Sequence, residues 1–258
     1  MNEAHTGSGR PAVLVVVAGT GTEVGKTWVT CRLARLLRER GTAVAARKLA
    51  QSFDRPGVAA PPNDLLTGAD LLTEADLLTG ADLLTEADLL TDADFLTDAD
   101  LLSAATGEPP TAVCPAHRWY PRAMAPPMAA ESLGLVPFTL TEVLGELSWP
   151  AGTAVGLVEQ AGGLGSPQAS DGDGADLVSL LAPDCVVLVA EAGLGTLSSI
   201  RLAAKALPGA PLVVFLNRFD PAVAVHLANR RWLAGRWGLT VAVSPEELVR
   251  ALPPAPLC

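Results

Sequence analysis

Long apolar stretches are missing from this sequence. The longest, Ala12 to Ala18, has 7 residues, whereas a membrane-crossing helix needs about 20, so no membrane span is expected. Residues Met1 to Arg10 are polar and lack the basic-then-apolar order of a signal peptide. A cytoplasmic protein is the expectation. Cysteine is sparse as well: Cys31, Cys114, Cys185 and Cys258 are scattered. They show neither metal-ligand spacing nor the density of a disulfide scaffold, and they read as buried or incidental thiols. Lysine is scarce, with Lys26, Lys48 and Lys205 against 15 arginines. No basic patch points to nucleic acid as a partner.

What is present is an apolar chain of globular length. Its 258 residues are 49% hydrophobic, which excludes disorder and suits one α/β domain over residues 1–258. The net charge of -10 is local. Between Asp64 and Asp100 stand 11 acidic residues and no Lys or Arg, leaving 17 acidic against 18 basic residues elsewhere. That tract lies in a hexapeptide repeat, D-L-L-T-(G/E/D)-A, over residues 64–105. A period of six advances 240° per unit on a helix, so the Leu pairs of many units share no single stripe. An inserted expansion without chemistry of its own is expected there. The Pro-rich tail, 252–258, is expected to be loose.

Short β-branched runs alternate with helical patterns along the rest. Strands are predicted at Ala12 to Ala18, Thr42 to Ala46, Ala154 to Val158, Cys185 to Ala190, Leu212 to Leu216 and Leu239 to Val243. Helices are predicted at Thr27 to Arg40, Thr139 to Leu147, Gly174 to Leu181, Leu197 to Leu207 and Ala222 to Trp237. This alternation implies a three-layer α/β sandwich, a mostly parallel sheet with helices on both faces. Ligands then collect beyond the carboxyl ends of the strands.

Between the first strand and helix runs G-T-G-T-E-V-G-K-T, from Gly19 to Thr27. Glycines let backbone N–H groups converge on an anion, and the helix N-terminus adds its dipole. The segment is a phosphate loop: Gly19, Thr20, Gly21, Thr22, Glu23, Val24, Gly25, Lys26 and Thr27 would cradle the phosphates of a nucleoside triphosphate. Lys26 would reach the β- and γ-phosphates, and Thr27 would complete a Mg2+ shell. Five residues separate Gly19 from Gly25 where four are usual, and Thr20 stands where a glycine would be.

That departure resembles the phosphate loop of dethiobiotin synthetases, G-T-x-T-E-V-G-K-T, and further blocks agree. R-K-L-A-Q-S (Arg47 to Ser52) is similar to the family's K-P-V-x-S/T, and A-P-P-M-A-A (Ala125 to Ala130) to its Pro-containing substrate-side segment. V-E-Q-A-G-G (Val158 to Gly163) is similar to V-E-G-A-G-G, and A-G-L-G-T-L (Ala192 to Leu197) to G-L-G-T-I. Asn217 matches an adenine-side Asn. The order of the blocks is more specific than any one of them.

The resemblance implies a P-loop NTPase fold, a homodimer, and an ATP-dependent cyclo-ligase acting on a small-molecule diamine, 7,8-diaminopelargonic acid, and CO2. It assigns Lys48 to a carbamate, Lys26 to the transferring phosphoryl group, hydrogen bonds to Thr22 and Ser52, and Mg2+ ligation to Thr27 and Glu159. It also requires a metal-binding Asp after the Lys. Asp64 follows Lys48 by 16 residues, and Asp100 matches by the L-L-S-A-A-T-G after it; Asp64 is preferred. Leu49, Phe53, Gln160, Ser198 and Ser199 depart from the family pattern on the substrate side, which keeps a different substrate open. So do two other classes: a nucleotide-binding regulatory or interaction protein of this fold, and a partitioning-type ATPase switch. The latter's K-G-G-x-G-K-T loop carries an early Lys that is absent here.

Overall fold

A computed structural model describes residues 9–53 and 96–254. In it the first apolar run forms strand β1 (Val13–Gly19), buried at every position. Leu14, Val16 and Ala18 enter one hydrophobic cluster while Val13, Val15 and Val17 enter another. A strand covered on both faces must be apolar throughout, which is why it reads as a run and not as an alternation.

Strands β2 (Val44–Lys48), β3 (Gln51–Ser52), β4 (Trp119–Tyr120), β5 (Val155–Glu159), β6 (Pro167–Ala169), β7 (Gly172–Asp173), β8 (Cys185–Glu191), β9 (Leu212–Asn217) and β10 (Thr240–Ala242) follow. Six of them form one sheet in the order β10-β9-β8-β1-β5-β2, with β3–β4 and β6–β7 as separate two-stranded pairs. Every pairing in the six-stranded sheet is parallel. The helices are α1 (Lys26–Glu39), α2 (Asp98–Thr106), α3 (Pro110–Val113), α4 (Pro126–Ser132), α5 (Leu140–Gly145), α6 (Gly174–Leu181), α7 (Thr196–Lys205), α8 (Ala224–Trp237) and α9 (Pro245–Ala251). On one face of the sheet Leu33 of α1, Leu102 of α2 and Leu248 of α9 are buried. Ala129 of α4, Val143 of α5, Leu177 of α6, Ile200 of α7 and Leu233 of α8 cover the other. This is the three-layer sandwich of P-loop NTPases. Among the described residues no helix is long and apolar enough to cross a membrane.

Two differences from the sequence reading matter for the site. The second strand runs on to Lys48, so that lysine is a sheet residue with a fixed direction. It lies on the open edge of the sheet, where Glu108 shields it. The Glu108 carboxylate accepts from Ala46 N at 2.9 Å and pairs with Arg47 at 2.7 Å. Arg47 lies over Trp149 and donates to Ser148 O at 2.6 Å.

The second difference concerns the repeat. Residues 54–95 lie outside the described residues, but the end of the tract folds as α2, which starts in the copy 94–99 and takes in the last copy, 100–105. Thr97 caps it through a reciprocal bond with Asp100, and Gly107, at φ 81°, ends it. Many copies share no stripe, but over this short helix Ala99, Leu102 and Ala105 stand at helical spacing, all buried. Just before that stripe, Asp98 is set against Lys48 and the Thr27 hydroxyl. At the other end Leu252 packs against the core, and residues 255–258 lie outside the described residues.

Candidate active site

Between β1 and α1 the chain must reverse direction tightly. Glu23 and Gly25 take left-handed conformations, at φ 59° and 94°. A Cβ on Gly25 would stand 2.1 Å from Asn217 Nδ2, so the position requires glycine. Asn217, at the end of β9, donates that Nδ2 to Val24 O at 2.9 Å, and Thr20 N bonds to Val189 O at 2.9 Å. The loop is thus tied to two strand ends. Lys26 folds back and donates to Gly21 O at 3.1 Å, and the α1 N-terminus carries no side-chain cap. A helix start left uncapped under a curled backbone suits an anion.

A 640 Å3 cavity opens beside the loop, lined by Thr22, Glu23, Gly25, Lys26 and Thr27. Lys48, Ser52, Asp98 and Glu159 line it from the sheet side. Thr20, Gly21 and Val24 face a second depression of 380 Å3, against Thr196 and Arg218. Asn217 sits buried behind the loop, in contact with it. Ser52 donates to Met124 O at 2.5 Å.

The charged cluster follows from register. Lys48 and Glu159 are partners across β2 and β5, so their side chains leave neighbouring strand ends together. Lys48 Nζ donates to Glu159 Oε1 at 2.8 Å and pairs with Asp98. The Thr27 hydroxyl lies 2.8 Å from Glu159 Oε1 and 2.9 Å from Asp98 Oδ1. It has one proton, so it serves one carboxylate at a time. Glu159 is fully buried, and its Oε2 has no partner. Three crowded oxygen donors, one carboxylate oxygen left bare, are the donor types a hard divalent cation takes.

Electrostatics hold the cluster charged. Burial pulls the Lys48 ammonium down, but Glu159 and Asp98 outweigh it and keep its pKa above the ordinary value. Burial raises the Asp98 carboxyl, yet Lys48 and the Thr27 hydroxyl prevail and hold it below the carboxylate range. The Lys26 ammonium is lowered by burial, with Glu159 opposing and Lys48 assisting.

Among the described residues the aspartate at the cluster is Asp98, which the sequence reading did not single out. Asp64 lies outside the described residues. Asp100 is engaged elsewhere, accepting from Thr97 N at 2.8 Å and from Thr97 Oγ1 at 2.7 Å as the cap of α2. Gln51, also unforeseen, fixes where α2 begins: its Oε1 accepts from Ala99 N at 3.0 Å and its Nε2 donates to Thr97 Oγ1 at 3.3 Å. One signal was available. Asp follows Thr directly in only two copies, Thr91-Asp92 and Thr97-Asp98, and the second precedes the helix stop at Gly107. The unusual Gln160 does not enter the cavity; its Nε2 donates to Gly174 O at 2.7 Å.

No family model matches the chain. Among curated proteins, it is 33% identical to the ATP-dependent dethiobiotin synthetase BioD of Anaeromyxobacter dehalogenans strain 2CP-1, over 91% of both chains. Against the protein of that name from strain 2CP-C it is 30% identical, again over 91% of both. A shorter stretch of 44 residues is 59% identical to the one from a Parafrankia species, spanning 18% of that protein's length. Among solved structures, a plasmid partition protein from Borrelia burgdorferi superposes with a TM-score of 0.48 at 13% identity, covering 93% of this chain and 97% of that one. Two relatives at 30% and 33% identity, each aligned over nine-tenths of both sequences, decide the family: this chain belongs to the ATP-dependent dethiobiotin synthetases.

Proposed function

We propose that this chain closes a cyclic urea from 7,8-diaminopelargonic acid, CO2 and ATP. The first amine adds to CO2 and loses a proton, giving a carbamate. A carbamate oxygen attacks the γ-phosphorus of ATP and releases ADP, leaving a carbamic–phosphoric anhydride. The second amine attacks the carbonyl carbon, phosphate departs, and the ring of dethiobiotin closes. Catalysis of such a transfer is mainly positioning and charge neutralisation.

The observation that carries this reading is the placement of Lys48. It is a buried ammonium at a strand end, in the same cavity as the phosphate loop, and its two carboxylate partners keep it charged. Lys48 would hold the carbamate as a compact cation, with Thr22 and Ser52 offering hydroxyls nearby. Lys26 would leave Gly21 O for the transferring phosphoryl group. Thr27, Asp98 and Glu159 would hold Mg2+, which neutralises phosphate charge when bound. Asn217 would act on the adenine side by fixing Val24. That Gln160 stays outside the cavity supports the diamine as substrate. A homodimer accompanies this reading and is measurable by sedimentation.

The test is ADP release from Mg·ATP and bicarbonate with and without the diamine, in wild type and Lys48→Ala. Diamine-dependent release is expected, falling by about 10²–10³ in the variant. ATP that binds but is never turned over with the diamine overturns the proposal.

A further inference from the structure

Of the three oxygen donors at the cluster, two are placed by the framework of the fold. Glu159 ends β5, in register with Val17 on one side and Lys48 on the other. Thr27 is the second residue of α1, directly behind the phosphate loop. Asp98 has no such support, being the first residue of the nine-residue helix α2. Ala99, Leu102 and Ala105 bury one side of that helix, and Arg38 Nη1 donates to Ala105 O at 2.8 Å near its end. Apolar contacts are non-directional, and the Arg38 bond acts on the last turn. They hold the helix on the core without fixing where its first turn sits.

Gln51 supplies what they leave open. It is 1% exposed, and it is not among the residues lining the cavity. Its Oε1 accepts from Ala99 N at 3.0 Å and its Nε2 donates to Thr97 Oγ1 at 3.3 Å, so the carboxamide bridges the two neighbours of Asp98. Ala99 N is one of the first-turn donors that a helix leaves without an internal partner. The Thr97 hydroxyl is fully used: it donates to Asp100 Oδ2 at 2.7 Å and accepts from Asp100 N and from Gln51, both at 3.3 Å.

The place of Gln51 in the chain matters as well. Lys48, Gln51 and Ser52 fall within five residues, and Lys48 and Ser52 line the cavity. Successive side chains of a strand point to opposite faces, which turns Ser52 to the cavity and Gln51 to α2. The segment that carries the ammonium thereby also sets the helix that carries one of its carboxylate partners. We infer that Gln51 is a positioning residue for Asp98, holding its carboxylate against Thr27 and Glu159 and so setting the affinity for the divalent cation. This rests on the reading above in which those three residues hold Mg2+.

The experiment titrates Mn2+ into the protein with a non-hydrolysable ATP analogue, read by electron paramagnetic resonance. The affinity for the analogue in EDTA and the melting temperature are measured alongside. Wild type is compared with Asp98→Asn, Gln51→Leu and, should that last variant fold poorly, Gln51→Glu, which retains an acceptor for Ala99 N. Gln51→Leu is expected to weaken Mn2+ binding by roughly tenfold. Gln51→Glu should stay closer to wild type, and analogue affinity in EDTA should be unchanged in both. An unchanged Mn2+ affinity with a lowered melting temperature means that Gln51 only supports the fold, and overturns the inference. Loss of analogue affinity in EDTA in step with Mn2+ affinity overturns it too. Mn2+ affinity indifferent to Asp98→Asn removes Asp98 as a ligand, and with it the reading on which the inference stands. A response to Asp98→Asn beside indifferent Gln51 variants sinks only the inference.

Discussion

Lys48 keeps its charge where burial alone would remove it. Two carboxylates within hydrogen-bonding reach hold the Lys48 ammonium charged, and Lys48 in turn holds Asp98 ionised. The signs differ in consequence. Asp98 is held below its ordinary 3.8, so its contribution to stability is present above that value and is lost as pH falls through the lower folded value. Lys48 is held above its ordinary 10.5, so its contribution persists through neutrality and is lost only at more alkaline pH. Asp98→Asn is therefore expected to flatten the acid limb of the melting temperature below about pH 4. Partial exposure of Asp98 keeps that effect small. The same variant should raise the Mg2+ concentration needed for half-maximal activity roughly tenfold or more; an unchanged Mg2+ requirement would show that Asp98 is no ligand. Sequence made Lys26, Thr27, Lys48 and Glu159 legible because each stands at a strand end or loop position of defined geometry. Asp98 was harder to read, because only its place after Thr97 and the helix stop at Gly107 set it apart among the many aspartates of the repeat.

At the level of elements, the six sheet strands were readable because the sheet is buried on both faces and most of them are apolar runs. The short strands of the two separate pairs and the short helices α3, α4 and α9 carry no such signal. The end of β2 was not readable either. Arg47 and Lys48 are charged, and charge in sequence looks like the end of a strand; Glu108, Glu159 and Asp98 are what let it continue. Helix α2 escaped for a related reason: its apolar stripe is visible over one short helix and cancels over several units. The phosphate loop is the element least tolerant of change. Gly25→Ala places a methyl group against Asn217 in a left-handed backbone. It should cost about 1–3 kcal/mol of stability and weaken ATP binding by roughly tenfold or more. Chemical denaturation and equilibrium nucleotide titration would check both, and an unaffected ATP affinity would mean the loop reshapes freely.

For the molecule as a whole, two cores meet at one sheet, and the three described thiols lie within one of them. Cys31, Cys114 and Cys185 are buried, and burial pushes their pKa values up to about 12, about 12 and about 11. A thiol protonated at neutral pH and shielded from solvent is a poor nucleophile. Iodoacetamide at pH 7.5 is expected to leave these three unmodified in the native protein, and to modify all of them in guanidinium, as read by peptide mass spectrometry. Native-state modification of Cys114 would show that the core around α3 opens readily. That these cysteines are buried thiols was legible from their scatter, whereas their gathering in one core required the sheet.

Everything that fixes Asp98 lies in the last two copies of the repeat or in the folded core: Thr97 caps its helix, Gln51 sets the first turn, and Lys48 and Thr27 receive the carboxylate. None of these contacts depends on how many copies precede it. Replication slippage that adds or drops whole units keeps the reading frame and leaves the last two copies where they were. The gene can thus drift in tract length among close descendants while selection sees one unchanged carboxylate.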